Sequence, residues 1–435
     1  MSRVLIYTSP ARGHLYPMMD VALALRDAGH RVTVQTLAEE RGSVQAAGVE
    51  HRPIAKASEE LPLTDYRGSN PLAKLRATFD TWLARAPHEI DDLRAAAAEL
   101  APDLLVVDAN TWGAAAFAEA SRRPWAMFLP YVLPVASPDV PAFGPGFAPP
   151  RNALERLRDR ALRGVTARGT RTAIQRLDRL RAELGVAGVG SFDGLFTRSD
   201  ALLYRTAPPF DYPRRHWPAN VHPIGPGLWA PPGEAPAWLA ELPRPRVLVS
   251  ISTELQEDGA IVETALRALA DEPGSLIVTT ASLDPERFEA PHERVRITRF
   301  LPHAQVVSEV DVVVTHGGMG TTQRALASGV PVVVVPWGRD QSETARRAEV
   351  SGAGVMLPPA RLTPERLRTA VRDARGRRSH AERVARAFRE AGGAARAVEL
   401  LEGLLGAGAA PSRAASPGVA SAPVTPATSA RTRAA

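Results

Sequence analysis

A recurring strand–helix unit restricts this chain more than any other feature of its sequence. Val4 to Tyr7 is a short apolar run; Met18, Val21, Ala22 and Leu25 then follow helical spacing. Gly29 closes that helix, and Val32 with Val34 opens a second strand. Leu104 to Val107 and Ala126 to Leu129 are further buried strands, separated by an Ala-rich helix. After a stretch dense in Pro and Gly, residues 223–245, the pattern restarts with Val247 to Val249, Leu276 to Thr279, Val312 to Thr315 and Val332 to Val335. Alternation of this kind predicts an α/β chain with two doubly wound, Rossmann-like domains, residues 1–222 and 246–405, joined by a linker over 223–245. Residues 406–435, built from Ala, Pro, Ser, Thr and Gly, have too little apolar surface to repay ordering and are expected to form a disordered tail. Ligands of doubly wound sheets sit at the carboxyl ends of strands, so residues just after strands carry the functional weight.

Composition narrows the chemistry. A chain of 435 residues with 45% hydrophobic and 23% charged content is an ordinary globular protein. It has no Cys, which excludes thiolate nucleophiles, iron–sulfur clusters and Cys-ligated zinc. No apolar run reaches the length of about 7–15 residues of a signal-peptide core or about 20 of a membrane span, so the expected location is the cytoplasm. The net charge of +6 invites a nucleic-acid reading, but 51 of the 53 basic residues are Arg, and Arg413, Arg431 and Arg433 of the tail supply half of the excess. No nucleic-acid partner is therefore expected. The turn from Thr8 to His14 lacks GxGxxG, neither Lys56 nor Lys74 follows a glycine as a Walker A loop requires, and HExxH and GxSxG are missing.

Three constellations remain. Thr315-His316-Gly317-Gly318-Met319-Gly320-Thr321-Thr322 lies between a strand and a helical stretch. Glycines there let a phosphate approach the backbone, the helix N-terminus offers free N–H groups and partial positive charge, and Thr321 and His316 add donors. A plain tight turn explains a lone Gly-Gly, but not the histidine and threonines beside it. Next, the strand Val332 to Val335 runs into Pro336-Trp337-Gly338-Arg339-Asp340-Gln341. Asp340 and Gln341 suit sugar hydroxyls, while Asp340 is also well placed to cap the following helix. Finally, His14 and Asp108 lie at the ends of two different strands. An aspartate that accepts from one imidazole nitrogen fixes the tautomer and makes the other a general base for an alcohol. Taken alone, a histidine is more often a surface or structural residue.

In order along the chain, GHLYP, VVDANTW, FLPHAQV, THGGMGTT, ALASGVP and WGRDQ resemble the nucleotide-sugar-dependent glycosyltransferases of the GT-B fold, which include UDP-glycosyltransferases and bacterial antibiotic glycosyltransferases of macrolide type. The resemblance spans residues 3 to about 400. It implies inverting transfer from a UDP- or TDP-sugar to a hydroxyl of a small, mainly apolar natural product, with the acceptor in the N-terminal domain. His14 matches the base and Asp108 its partner. His316, Gly317, Gly318, Gly320 and Thr321 match the diphosphate site, and Asp340 with Gln341 the sugar site. Thr253 stands where the family has a small hydroxyl residue near the nucleotide. No metal or other cofactor is implied, the nucleotide sugar being a co-substrate.

Four positions depart from the pattern: Phe300 replaces a Trp against the base, His303 a Gln, Arg324 a Glu that holds ribose hydroxyls, and Ser252 a Gly. Losing that Glu leaves a deoxyribose donor open. Phe143 and Phe147, in the Pro/Gly-rich loop 138–147, are read as acceptor-pocket residues or as a surface loop packed on itself. The Arg-rich stretch 154–184 is read as a solvated helix face, with an acidic acceptor or membrane contact as the sharper reading. A nucleotide-sugar epimerase or phosphorylase on the same architecture, or a silent helper subunit, are the alternatives. GHLYP with WGRDQ argues against the first, and His14, Asp108 and Asp340 together against the second.

Overall fold

The computed structural model describes residues 1–65, 68, 70–253, 256 and 258–407. Its first half is a seven-stranded parallel sheet of β1 (Arg3–Tyr7), β2 (Arg31–Thr36), β3 (Glu50–Pro53), β4 (Leu104–Asp108), β5 (Trp125–Leu129), β6 (Ala201–Tyr204) and β7 (Val221–Pro223). The strand order is β3-β2-β1-β4-β5-β6-β7. Six helices serve it: α1 (Arg12–Asp27), α2 (Arg41–Ala46), α3 (Lys56–Glu59), α4 (Pro71–Leu100), α5 (Trp112–Ala120) and α6 (Ala153–Glu183). The second half repeats the plan with β8 (Arg246–Ser250), β9 (Ser275–Thr279), β10 (Val295–Thr298), β11 (Val312–Thr315), β12 (Val332–Val334) and β13 (Gly354–Met356), ordered β10-β9-β8-β11-β12-β13 and also parallel. Around it lie α7 (Trp238–Glu241), α8 (Gly259–Leu269), α9 (His303–Val306), α10 (Met319–Ala327), α11 (Gln341–Val350), α12 (Pro364–Arg375) and α13 (Arg378–Glu390), while a last helix, α14 (Gly393–Ala407), returns to the first half.

The central strands β1, β4, β5, β8, β9, β11 and β12 are continuous apolar runs because helices cover both faces of each sheet. In each sheet the winding reverses direction at one place, between β1 and β4 and between β8 and β11. The crevice outside the strand ends at those two points is where a doubly wound sheet can receive a ligand.

Three boundaries differ from the sequence reading. The second domain was expected to hold the chain to residue 405, but α14 packs against α1, with Ala397 and Leu401 in one core with Leu15, Met18 and Leu25. Its apolar stripe finds the uncovered face of α1, and Gly393 N–H donates to the Ile224 carbonyl at 2.8 Å to fix the crossing. The first helix starts at Arg12, earlier than the spacing from Met18 suggests, and carries Pro17 inside it. The segment expected to form the tail contributes Gly406 and Ala407 to α14, and its remainder, 408–435, lies outside the described residues. Among the described residues no helix is long and apolar enough to cross a membrane.

Candidate active site

The β1/β4 reversal brings His14 and Asp108 together. His14 sits in the first turn of α1 and Asp108 is the last residue of β4. His14 Nδ1 lies 2.9 Å from Asp108 Oδ1 and 2.8 Å from Oδ2. Asp108 also accepts from Ser9 N at 3.1 Å, Ser9 Oγ at 2.7 Å and Asn110 N at 3.0 Å. Burial alone would raise the Asp108 carboxyl, but the charge and hydrogen bond of His14, with those donors, outweigh it and hold the group below its ordinary value. With Nδ1–H committed to Asp108, Nε2 carries the lone pair, and the Asn110 amide lies 3.3 Å from it. The imidazole is thus held in the tautomer a base toward the cleft requires.

Asp340 reaches the same place from the second half. It occupies the N-cap position of α11, yet its side chain makes no capping hydrogen bond. The helix-cap reading therefore does not account for the carboxylate. Burial raises its pKa, while its own main-chain N–H, Arg339 and His14 act to lower it. Tyr131, just past β5, lies between the two acids: burial raises its phenol first, and Asp108 and Asp340 then add to the effect. Its ring centroid is 6.0 Å from that of His14. His14, Asp108, Tyr131 and Asp340 therefore converge across the cleft from both halves.

At the β8/β11 reversal, Gly317 takes φ +99°, a left-handed conformation that turns the chain from β11 into α10. A side chain at Gly318 would meet His316 Nε2, whereas one at Gly320 would meet no atom from outside its own helix within 4 Å. Gly320 therefore exposes open helix surface at the first turn of α10, whose N-terminus has no side-chain cap. His316 is 8% exposed, and burial, against a hydrogen bond to the Ser250 main chain, lowers its pKa to about 4, so the ring is neutral near pH 7. Thr321 is half-buried beside it, and Thr253 is exposed just beyond β8.

Other expected donor residues are placed less simply. Gln341 is buried, with its oxygen accepting from Trp337 N at 2.7 Å and Gly338 N at 2.9 Å and its nitrogen donating to Gln256 Oε1 at 2.6 Å. It shapes the turn that presents Asp340 instead of offering a free amide. Phe300 is 72% exposed on the side of β10. Burial lowers His303 to about 4, helped by Arg324, and its Nε2 lies 3.4 Å from Thr279 Oγ1. Arg324 donates to the Trp229 carbonyl at 3.2 Å.

On the acceptor side, Phe147 lies under the Arg158 guanidinium at 4.0 Å, and Phe143 is half-buried. Arg163 of the Arg-rich helix donates to the Ser137 and Val140 carbonyls, while Arg176 and Arg181 pair with Asp80 and Glu119. These three arginines are thus engaged within the fold, while Arg156, Arg160, Arg168, Arg171 and Arg179 are exposed. Ser9, Asn110 and Tyr131 escaped the sequence reading. Each lies just beyond a strand already identified, and that position was the available signal. Among the described residues no three His, Asp or Glu side chains form a set able to hold a metal ion.

Two parallel doubly wound halves meeting at such a cleft have the architecture of the GT-B fold. Residues 263–404 match the family described as erythromycin biosynthesis protein CIII-like, C-terminal domain. The whole chain is 32% identical over 421 residues to the 4'-demethylrebeccamycin synthase of Lentzea aerocolonigenes, covering 93% of this chain and 100% of that one. The solved calicheamicin glycosyltransferase CalG4 shares the fold at TM-score 0.73, with 23% identity over 93% of this chain and 98% of its own. The glycosyltransferase VinC, solved in complex with DTDP, is 25% identical at TM-score 0.66, over 93% of this chain and 100% of its own. The chain belongs to the antibiotic glycosyltransferases of this fold.

Proposed function

We propose that this glycosyltransferase moves a sugar, with inversion at the anomeric carbon, from a nucleoside diphosphate to a hydroxyl of a small, mainly apolar natural product such as a polyketide or macrolide. The observation that carries the reading is the convergence of the Asp108-held His14 imidazole with the uncapped Asp340 carboxylate, one from each half. His14 Nε2 removes the acceptor proton as the oxygen attacks, and the imidazolium that forms is stabilised by Asp108. Asp340 accepts from the sugar hydroxyls and so sets the anomeric carbon against the attacking oxygen. The leaving diphosphate lies at the N-terminus of α10, where main-chain N–H groups, Thr321 and the neutral His316 receive its charge. That arrangement calls for no metal. Gln341 acts through the turn it holds.

For the nucleoside, Arg324 has only donors and cannot accept from a ribose diol, which favours a deoxyribose donor; the DTDP complex of VinC points the same way. The test combines purified protein, TDP- and UDP-sugars and a mixed acceptor library. Acceptor-dependent release of the nucleoside diphosphate is expected, with a product of opposite anomeric configuration by NMR. Release without an acceptor product, or retained configuration, would refute the reading.

A further inference from the structure

The loop after β5 begins in the first half and is fastened to the second. Glu343, in the first turn of α11 and three positions beyond Asp340, is 1% exposed. Its Oε1 accepts from Gly144 N at 2.8 Å and from Gly146 N at 2.9 Å. Its Oε2 pairs with Arg347 Nη1 at 2.6 Å, and Arg347 Nε donates to Asp211 Oδ1, also at 2.6 Å. Arg346 Nε donates to the Gly146 carbonyl at 2.9 Å, and the Tyr212 hydroxyl to that of Phe147 at 3.1 Å. Gly146 has φ +66°, and a side chain there would run into the Ser342 main chain, so helix and loop touch backbone to backbone. Nearer β5 the same segment is held by Tyr204, whose hydroxyl accepts from Leu133 N at 3.1 Å and donates to Asp211 Oδ2 at 2.9 Å.

The charges show which groups Glu343 serves. Burial works against the Arg347 guanidinium, but Asp211 and Glu343 outweigh it and raise its pKa. Arg347 thus faces two carboxylates, while Asp211 also answers the buried Arg214 guanidinium. The second oxygen of Glu343 is directed at the two loop amides, as charge-assisted hydrogen bonds. Phe143 and Phe147 flank those glycines, so their positions follow α11.

We propose that Glu343 is a positioning residue through which the helix that presents Asp340 to the sugar also sets the acceptor wall at residues 143–147. This rests on the reading of that loop as part of the acceptor pocket. In Glu343→Ala, Arg347 keeps the Asp211 carboxylate as its partner through Nε. Glu343→Gln retains an oxygen for both loop amides.

The test uses the full-length chain, a TDP-sugar and a phenolic acceptor taken up by the wild type. Acceptor KM is measured at saturating donor, TDP affinity by calorimetry, and amide exchange at Gly144 and Gly146 by mass spectrometry. Glu343→Ala is expected to raise acceptor KM at least tenfold and to speed exchange at those amides, with TDP affinity within twofold of wild type. Glu343→Gln is expected to recover most of the loss. Acceptor KM and TDP affinity weakening together, an unchanged acceptor KM, or a Gln variant as impaired as Ala would each overturn the assignment. A wild type that glycosylates no acceptor would overturn the reading of the cleft itself; a wild type that does so, with no KM split in the variants, removes only the role of Glu343.

Discussion

The two reversal points of this molecule are built on one topology and finished in opposite ways. At β1/β4 the Asp108 carboxylate is engaged at both oxygens: His14 Nδ1 lies against both, Asn110 N donates to Oδ1, and Ser9 N and Oγ donate to Oδ2. At β8/β11 the buried Thr322 Oγ1 and Gln323 Nε2 have no hydrogen-bond partner, as Asn110 Oδ1 has none at β1/β4, but Thr322 and Gln323 lie in the first turns of α10, whose N-terminus has no side-chain cap. The first place holds one side chain still, and the second, with an uncapped helix N-terminus, suits a polar ligand. A base needs a fixed tautomer before substrate arrives; a diphosphate site needs donors kept free.

The sharpest way to break this contrast is His14→Ala. Loss of a positioned general base is expected to reduce kcat by a factor of about 10²–10⁴. TDP affinity by calorimetry should remain at the wild-type level, because the proposed diphosphate site lies at the other reversal. Turnover close to wild type would remove His14 from the chemistry.

Two buried groups, Glu89 in the first half and His316 in the second, are expected to make stability respond to pH in opposite directions. Burial raises Glu89, which accepts from Gly113 N and Ala114 N at the start of α5, to about 8. Its folded value lies above the ordinary 4.5, so its contribution is complete below that pH and is lost as pH rises toward 8. His316 is the reverse: its folded value of about 4 lies below the ordinary 6.5, so the unfolded chain binds the extra proton first and stability falls as pH drops from 6.5 to 4. That loss amounts to up to about 3 kcal/mol. Urea unfolding of Glu89→Gln should be flatter than wild type between pH 5 and about 8, and His316→Gln flatter between about pH 4 and 6. Parallel curves for wild type and both variants would show that the two buried groups do not differ as the contrast requires.

Asp340→Ala tests the seam between the halves. A charged hydrogen-bonding group is worth about 1.5–3 kcal/mol, so donor KM should rise roughly 10- to 100-fold with little change in affinity for free TDP. Equal weakening of sugar donor and free nucleotide would place Asp340 with the diphosphate instead.

What could be read in the sequence follows from which signals are local. The central strands were legible because burial on both faces leaves nothing but Val, Leu, Ile and Ala to read. Edge strands such as β3, Glu-His-Arg-Pro, carry no such run, and β10 alternates Val and Ile with Arg and Thr. His14, Asp108 and Asp340 could be named because strand ends are where such sheets hold ligands. The engagement of Gln341 with Trp337 and Gly338 depends on the path of a turn, and the Glu343 contact with Gly144 joins positions 199 residues apart. No local pattern encodes that pairing. The N-terminus of α1 was misplaced because Gly13 and Pro17 are poor helix residues, overridden here by packing of Leu15, Met18 and Met19.

The smallest expected effect is the most discriminating for the open reversal. Gly320 lies in the first turn of α10 with no atom from outside its own helix within 4 Å of where a side chain would begin. A glycine kept for packing would be destabilised by a methyl group. Gly320 has no such neighbour, and alanine restrains the unfolded chain and favours helix, so Gly320→Ala should raise stability by up to about 1 kcal/mol. The same methyl group would stand where the diphosphate must approach the helix amides, so TDP affinity should fall while Tm rises. Opposite signs from one methyl group separate a surface kept clear for a ligand from a turn that needs a glycine. A variant that lost stability and nucleotide affinity together would assign Gly320 to the fold and leave the open reversal resting on His316 and Thr321.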